Sequence, residues 1–133
     1  MSTFHLKIST PDGLAFDGDV ERLRVRMIDG DVCLLAQHTN YVSAVGAGEA
    51  AIVLADGQKR RAACIGGMLS VMNGTCHVLA TTWEWEEDID TERAEDARKR
   101  AEARLAEGGL SDKEYRIVKA KLQRALVRLG VKE

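Results

Sequence analysis

The run Trp83-Glu-Trp-Glu-Glu-Asp-Ile-Asp-Thr-Glu-Arg-Ala-Glu-Asp-Ala-Arg-Lys-Arg100 divides the chain into two architectures. Trp83 and Trp85 repeat at the two-residue period of a strand, whereas Ala94, Ala97 and Ala101 repeat at helical period. Asp90 has the short acceptor side chain of a helix N-cap, with Ile89 and Ala94 at the positions of a hydrophobic staple. Glu86, Glu87 and Asp88 fall where the positive end of a helix dipole favours negative charge. Strands are expected before this junction and helices after it, and function is expected in their coupling.

Upstream, Phe4, Leu6 and Ile8 alternate with polar residues, and Pro11-Asp12-Gly13 forms a turn. Leu14 to Phe16 reads as a short strand, closed by a second turn at Asp17-Gly18-Asp19. From Val20 to Met27 the alternation is clean, with Leu23, Val25 and Met27 on one face and Arg22, Arg24 and Arg26 on the other. Without interleaved aromatics, this arginine ladder reads as a solvated or partner-facing surface and not as a nucleic-acid patch. Val32 to Ala36 is apolar enough for a buried strand, and Tyr41 to Val45 and Ala50 to Ala55 follow. Asp56-Gly57 and Asn73-Gly74 are hairpin turns, and Gly66-Gly67 marks a bulge or bend. About ten short strands without a crossover helix imply an antiparallel β-sandwich up to residue 86.

Downstream, Ala94, Ala97, Ala101 and Leu105 form a narrow stripe on a first helix, with Glu95/Lys99 and Asp96/Arg100 as supporting ion pairs. Gly108-Gly109 ends it, and Ser111-Asp112-Lys113-Glu114 is a capping box with Leu110 and Tyr115 as its staple. Tyr115, Val118, Leu122, Ala125 and Leu129 recur on a second helix, which Gly130 closes. Two helices joined by so short a turn run antiparallel. The fold class is therefore α+β, a sandwich over 1–86 followed by a two-helix hairpin over 87–133. A hairpin with so little apolar surface gains about 1.5–3 kcal/mol per large buried side chain. Against this stand about 1–2 kcal/mol of backbone entropy per ordered residue. It is marginal alone and suited to a two-position switch.

The net charge of −2 gives no overall attraction to nucleic acid or anionic lipid. Residues 83–107 carry ten acidic and five basic side chains, and residues 110–133 carry three acidic and seven basic. The last helix thus suits an acidic partner. The first residues lack the charged-then-apolar pattern of a signal peptide, and no apolar run approaches the ~20 residues of a membrane span. The chain is expected on the cytoplasmic side, without direct membrane insertion. Cys33, Cys64 and Cys76 are expected as buried free thiols. Alternation sends Cys76 and His77 to opposite faces of a strand, which excludes a metal pair.

No P-loop or dinucleotide fingerprint is present. Cys33 and His38 are the only pieces of a nucleophile pair, with no third group to orient the histidine, and no catalytic residue is assigned. Arg93 and Arg100 share a face of the first helix, and Arg124 and Arg128 share a face of the second. In a closed hairpin Arg93 comes near Arg128, beside Ile89 and Asp90. Guanidinium groups converging from two helices suit a polyphosphate, while solvated arginines on exposed faces are the plainer alternative.

The chain resembles the epsilon subunit family of bacterial F-type ATP synthase. The likeness is carried by Thr10-Pro11-Asp12-Gly13, Phe16-Asp17-Gly18-Asp19-Val20-Glu21, Gly66-Gly67-Met68-Leu69-Ser70-Val71, Val78-Leu79-Ala80 and Ile89-Asp90-Thr91-Glu92-Arg93-Ala94. It covers nearly the whole length. The resemblance implies a ten-stranded sandwich with a helix-turn-helix and a non-catalytic subunit of the central stalk. Its implied partners are the gamma subunit, the c-ring and the catalytic beta subunits, and its implied place is the cytoplasmic face of the bacterial membrane. It further implies a hairpin that either folds down on the sandwich or extends and inhibits ATP hydrolysis. No cofactor is required; ATP is implied as a regulatory ligand, without a need for magnesium. The implied ATP-binding residues are Glu84, Ile89, Asp90, Arg93, Arg100, Arg124 and Arg128, and those of the ring-facing loop are Asp31 and His38. Where the family has Leu-Pro-Gly-His, this chain has Leu35-Ala36-Gln37-His38. The alternative from a different class is a stand-alone sandwich adaptor that dimerises through its helices.

Overall fold

The computed structural model describes residues 2–133. Seven strands precede two helices: β1 (Phe4–Thr10), β2 (Gly13–Met27), β3 (Gly30–Leu35), β4 (Tyr41–Ala44), β5 (Ala47–Leu54), β6 (Lys59–Met72), β7 (Thr75–Trp85), α1 (Thr91–Glu107) and α2 (Asp112–Lys132). The strand order is β1-β7-β6-β5-β2-β3, with β4 on β6. Because β1 also pairs with the first half of β2, the ladder closes on itself around one core. That core is made by Leu6, Ile8, Val20, Leu23, Val25, Leu34, Ile52, Leu69 and Val78, all essentially inaccessible to solvent.

Seven strands stand in place of about ten, in part because two pairs of expected strands are continuous. The Asp17-Gly18-Asp19 segment is not a turn, because Lys7, Leu6 and His5 of β1 pair with those three residues in register. A neighbouring strand supplies hydrogen bonds that local turn propensity would forgo. In β6 the Gly66-Gly67 pair, at φ +75° and +124°, bends a strand that β7 accompanies without a register shift. The bend inverts the alternation: Cys64 and Leu69, an odd number of residues apart, both point into the core. On β7, Ala80 and Trp83 do the same. A Cβ on Gly67 would lie 2.0 Å from the Leu79 carbonyl oxygen, so only glycine fits there. One pair departs from antiparallel: β1 and β7 run parallel, because the closed ring β1-β7-β6-β5-β2 has an odd number of strands and cannot be antiparallel throughout.

The two hairpin turns form as expected. Asn73 and Gly74 both take positive φ, the signature of a two-residue type I′ turn. Asp56 Oδ1 accepts from the Gln58 backbone N–H at the β5–β6 turn. The inward and outward faces of β2 also follow the expected alternation, and outward-facing Arg24 pairs with Glu49 at 3.0 Å.

Cys64 and Cys76 are buried, and burial pushes both thiols up to about 12. Cys33 is exposed, contrary to expectation. It lies on β3, which among the described residues pairs only with β2 and turns only Leu34 fully into the core.

Candidate functional site

The junction is built as its residues dictate. After β7, Glu86–Asp88 make a single 3₁₀ turn, and Asp90 caps α1 by accepting from the Arg93 backbone N–H at 3.0 Å. The acidic trio serves the sandwich more than the helix dipole: Glu86 pairs with Arg61, and Glu87 with Arg60 at 2.7 Å. The Glu87 carboxyl is held below the ordinary range, first by its own backbone N–H and then by Arg60. The Arg60 guanidinium also lies 3.6 Å from the centre of the Trp85 ring, which meets Trp83 edge-on. This belt fixes the strand end from which the helices start.

Gly108, at φ +74°, ends α1, and Ser111 with Glu114 forms the complete capping box of α2. Other helical expectations are corrected. Gly130 does not end α2, which continues to Lys132. Tyr115 is 45% exposed, with the Lys119 ammonium near its ring, so the apolar stripe begins at Val118. Glu95 pairs with Arg98, and Arg98 also reaches Glu102 at 2.8 Å; this one arginine replaces the Glu95/Lys99 and Asp96/Arg100 pairs. Ile89 packs with Ala63, Val131 and Val127, which makes it an anchor between sandwich and helix.

Between α1 and α2 lies a groove of about 650 Å³. Small side chains make its floor: Ala94, Ala97 and Ala101 from α1, and Ala125 from α2. Six of the seven residues singled out from the sequence line it, namely Glu84, Asp90, Arg93, Arg100, Arg124 and Arg128. Ile89 does not; its side chain is taken up by the apolar cluster below. Asp88, Arg104 and Lys121 also line the groove and were not anticipated. Lys121 was recoverable from spacing, because 121, 124 and 128 share one face of α2. Arg128 Nε donates to Glu84 Oε1 at 2.6 Å, and Arg104 is engaged by Glu107 and Glu114. Arg93, Arg100, Lys121 and Arg124 make no ion pair among the described residues. The groove therefore carries carboxylates at the sandwich end and uncommitted cations along both helices, a setting for an elongated anion.

The two ring-facing candidates do not share a loop. Asp31 sits within β3, across from Arg26 and 3.6 Å from its guanidinium, whereas His38 follows the far end of that strand. His38 Nδ1 lies 2.8 Å from the Thr39 carbonyl oxygen, and its ring meets Tyr41 edge-on. Gln37 holds φ +66° at the position where the resembling family has glycine. The loop thus keeps a left-handed residue without the residue type that adopts it freely. No hydrogen bond joins His38 to Cys33 among the described residues.

A closed sandwich carrying a helical hairpin with a cationic groove is a recognisable class, and comparison with known proteins gives it a family. Residues 3–86 match the family described as ATP synthase, Delta/Epsilon chain, beta-sandwich domain. Residues 87–133 match its long alpha-helix domain. The chain belongs to the ATP synthase delta/epsilon family. It is 40% identical to the ATP synthase epsilon chain of Caldicellulosiruptor bescii, over 100% of this chain and 96% of that one. It is 38% identical to the sodium-ion-specific ATP synthase epsilon chain of Acetobacterium woodii, over 77% of each. A chain in the Euglena gracilis mitochondrial ATP synthase structure shares the fold, with TM-score 0.84 at 19% identity, over 98% of this chain and 81% of that chain.

Proposed function

We propose that this chain is a non-catalytic subunit of the central rotor stalk of an F-type ATP synthase, linking the catalytic sector to the membrane c-ring. In this reading its docked hairpin takes ATP as a regulatory ligand, and the released hairpin inhibits ATP hydrolysis by meeting the catalytic beta subunits. The observation that carries the ATP assignment is the convergence of Glu84, Asp90, Arg93, Arg100, Arg124 and Arg128 on one groove of about 650 Å³. Guanidinium groups from both helices reach that space only while the hairpin is closed, so an anion bound between them favours closure. At a hundredfold excess over Kd such a ligand contributes about 2.7 kcal/mol, enough to set the resting position of a marginal element.

The stalk assignment is supported by the family and by an exposed apolar face. Met68 of β6 pairs with Leu79 of β7 and with Ala44 of β4, and Val42 lies nearby on β4. Met68, Leu79 and Val42 are each more than 40% exposed, which suits the seat of the gamma subunit. No helix among the described residues is long and apolar enough to cross a membrane. Attachment to the cytoplasmic face of the bacterial membrane would come through the complex.

Calorimetric titration with ATP tests the ligand. Arg93→Ala should weaken binding about tenfold or more, the loss of one charge-assisted contact, while leaving the sandwich folded. Equal affinities for the two proteins would refute the assignment. Reconstitution with the gamma subunit and the catalytic sector, followed by ATPase assay with and without the chain truncated after Asp88, tests the inhibitory role. Truncation should raise hydrolysis.

A further inference from the structure

We propose that the last turn of α2 is a catch that holds the hairpin on the sandwich and completes the groove. The proposal rests on the reading above in one respect, that the hairpin has a second position. Three contacts gather within five residues. Arg128 Nε donates to Glu84 Oε1 of β7 at 2.6 Å. Val131 is fully buried, in a cluster with Ala63 of β6, Ile89 and Val127. Lys132 Nζ donates to the Glu86 carbonyl oxygen at 3.1 Å.

These contacts matter because the two hydrogen bonds are the only ones between α2 and the residues that precede α1, among the described residues. Helix α1 packs chiefly on α2, whereas α2 also touches β5, β6 and the 3₁₀ turn. Apart from Val131, the buried residues of the two helices are Ala94, Ala101 and Ala125, too small to grip, and the open groove separates much of the helix pair. The polar contacts and the one buried branched side chain therefore concentrate at the far end of the chain, although the covalent tether is at residues 86–90. Ala63 is poised for this by the inverted alternation of β6, which turns Cys64 inward and leaves Ala63, paired beside Glu84, on the helix side.

The catch and the groove share the Glu84–Arg128 pair. Glu84 and Asp88 come from the sandwich end, and Arg124 and Arg128 come from α2, so release of the last turn removes one wall of the groove. Groove occupancy and catch closure are thus thermodynamically linked, each favouring the other.

Amide hydrogen exchange on the full chain without nucleotide tests the catch separately from ATP binding, which the calorimetry reads. Val131→Asp should speed exchange about tenfold or more in the last two turns of α2 and at Ile89, as a local opening does, and leave β1 to β7 protected. Ile117→Asp, on an exposed apolar residue of the same helix, should leave all of these rates unchanged. Glu84→Arg and Arg128→Glu should each speed exchange at the same amides, and the double swap should recover most of the protection. Rates in Val131→Asp equal to those in Ile117→Asp would overturn the proposal. So would loss of protection throughout the sandwich, which would make Val131 an ordinary core residue.

Discussion

The sandwich and the hairpin are held by different physics. The sandwich buries branched side chains from six of its seven strands, among them Leu6, Leu23, Ile52, Leu69 and Val78, in a ladder closed by the β1–β2 and β1–β7 pairs. The hairpin buries three alanines and one valine, and relies on caps, ion pairs and a few contacts at its base. In the first region, stability is distributed and a single loss is felt by the whole core. In the second, stability is local, which is the condition under which an element can change position while its platform does not.

The largest expected effect would come from breaking the sandwich at its bend. Gly67→Ala forces a Cβ to 2.0 Å from the Leu79 carbonyl oxygen at a φ of +124°. It should destabilise the sandwich by about 3 kcal/mol or more, read as a fall in the urea midpoint of tryptophan fluorescence. Next, Leu23→Ala in the closed core should cost about 2–5 kcal/mol by the same measurement. Its counterpart in the hairpin, Ala101→Gly, should cost about 1 kcal/mol, and the loss should appear only in the helical circular-dichroism signal. A shift of the sandwich midpoint by Ala101→Gly would show that the two regions melt as one unit and would erase the difference between them.

Smaller effects sharpen the picture of the sandwich alone. Gln37→Gly relieves a left-handed residue at φ +66° and should stabilise by about 0.5–1 kcal/mol in the urea midpoint. The smallest effect concerns pH. His5 is bonded to Asp19 at 3.2 Å and to Asp17 at 2.5 Å, and these carboxylates, Asp19 first, raise its pKa above the ordinary 6.5. A raised folded-state value means that this contribution is complete below the unfolded value and fades as pH climbs through the folded one. Stability should therefore slip slightly on the alkaline side of 6.5, and Asp17→Asn with Asp19→Asn should flatten that slope. The NMR titration midpoint of His5 should fall towards the ordinary value in the same double variant.

What could be read from the chain were features whose cause lies within a few residues. The Asp90 cap, the Ser111 box, the Gly108 stop and the two hairpin turns each depend on local chemistry, and each formed. Features that depend on distant partners were hidden. Asp17-Gly18-Asp19 has every mark of a turn, yet β1 recruits it into a strand. The alternation across Gly66-Gly67 cannot be followed by period alone, because the backbone bend changes which residues face inward. In the groove, the arginines followed from helical spacing, but the Glu84–Arg128 contact spans 44 residues and needed the folded chain. Val131 was hidden behind Gly130, which has the composition of a helix stop but continues as helix where the next residue has a pocket to fill.

The placement of the fastening at the base of α2, remote from the Gly108-Gly109 bend, has a mechanical corollary. Helix α1, with 17 residues, extends about 26 Å, so a push at the tip acts through a lever arm of that length on a fulcrum only a few side chains wide. In a rotating assembly, the hairpin would respond to torque at its tip as well as to the chemistry of the space between its helices.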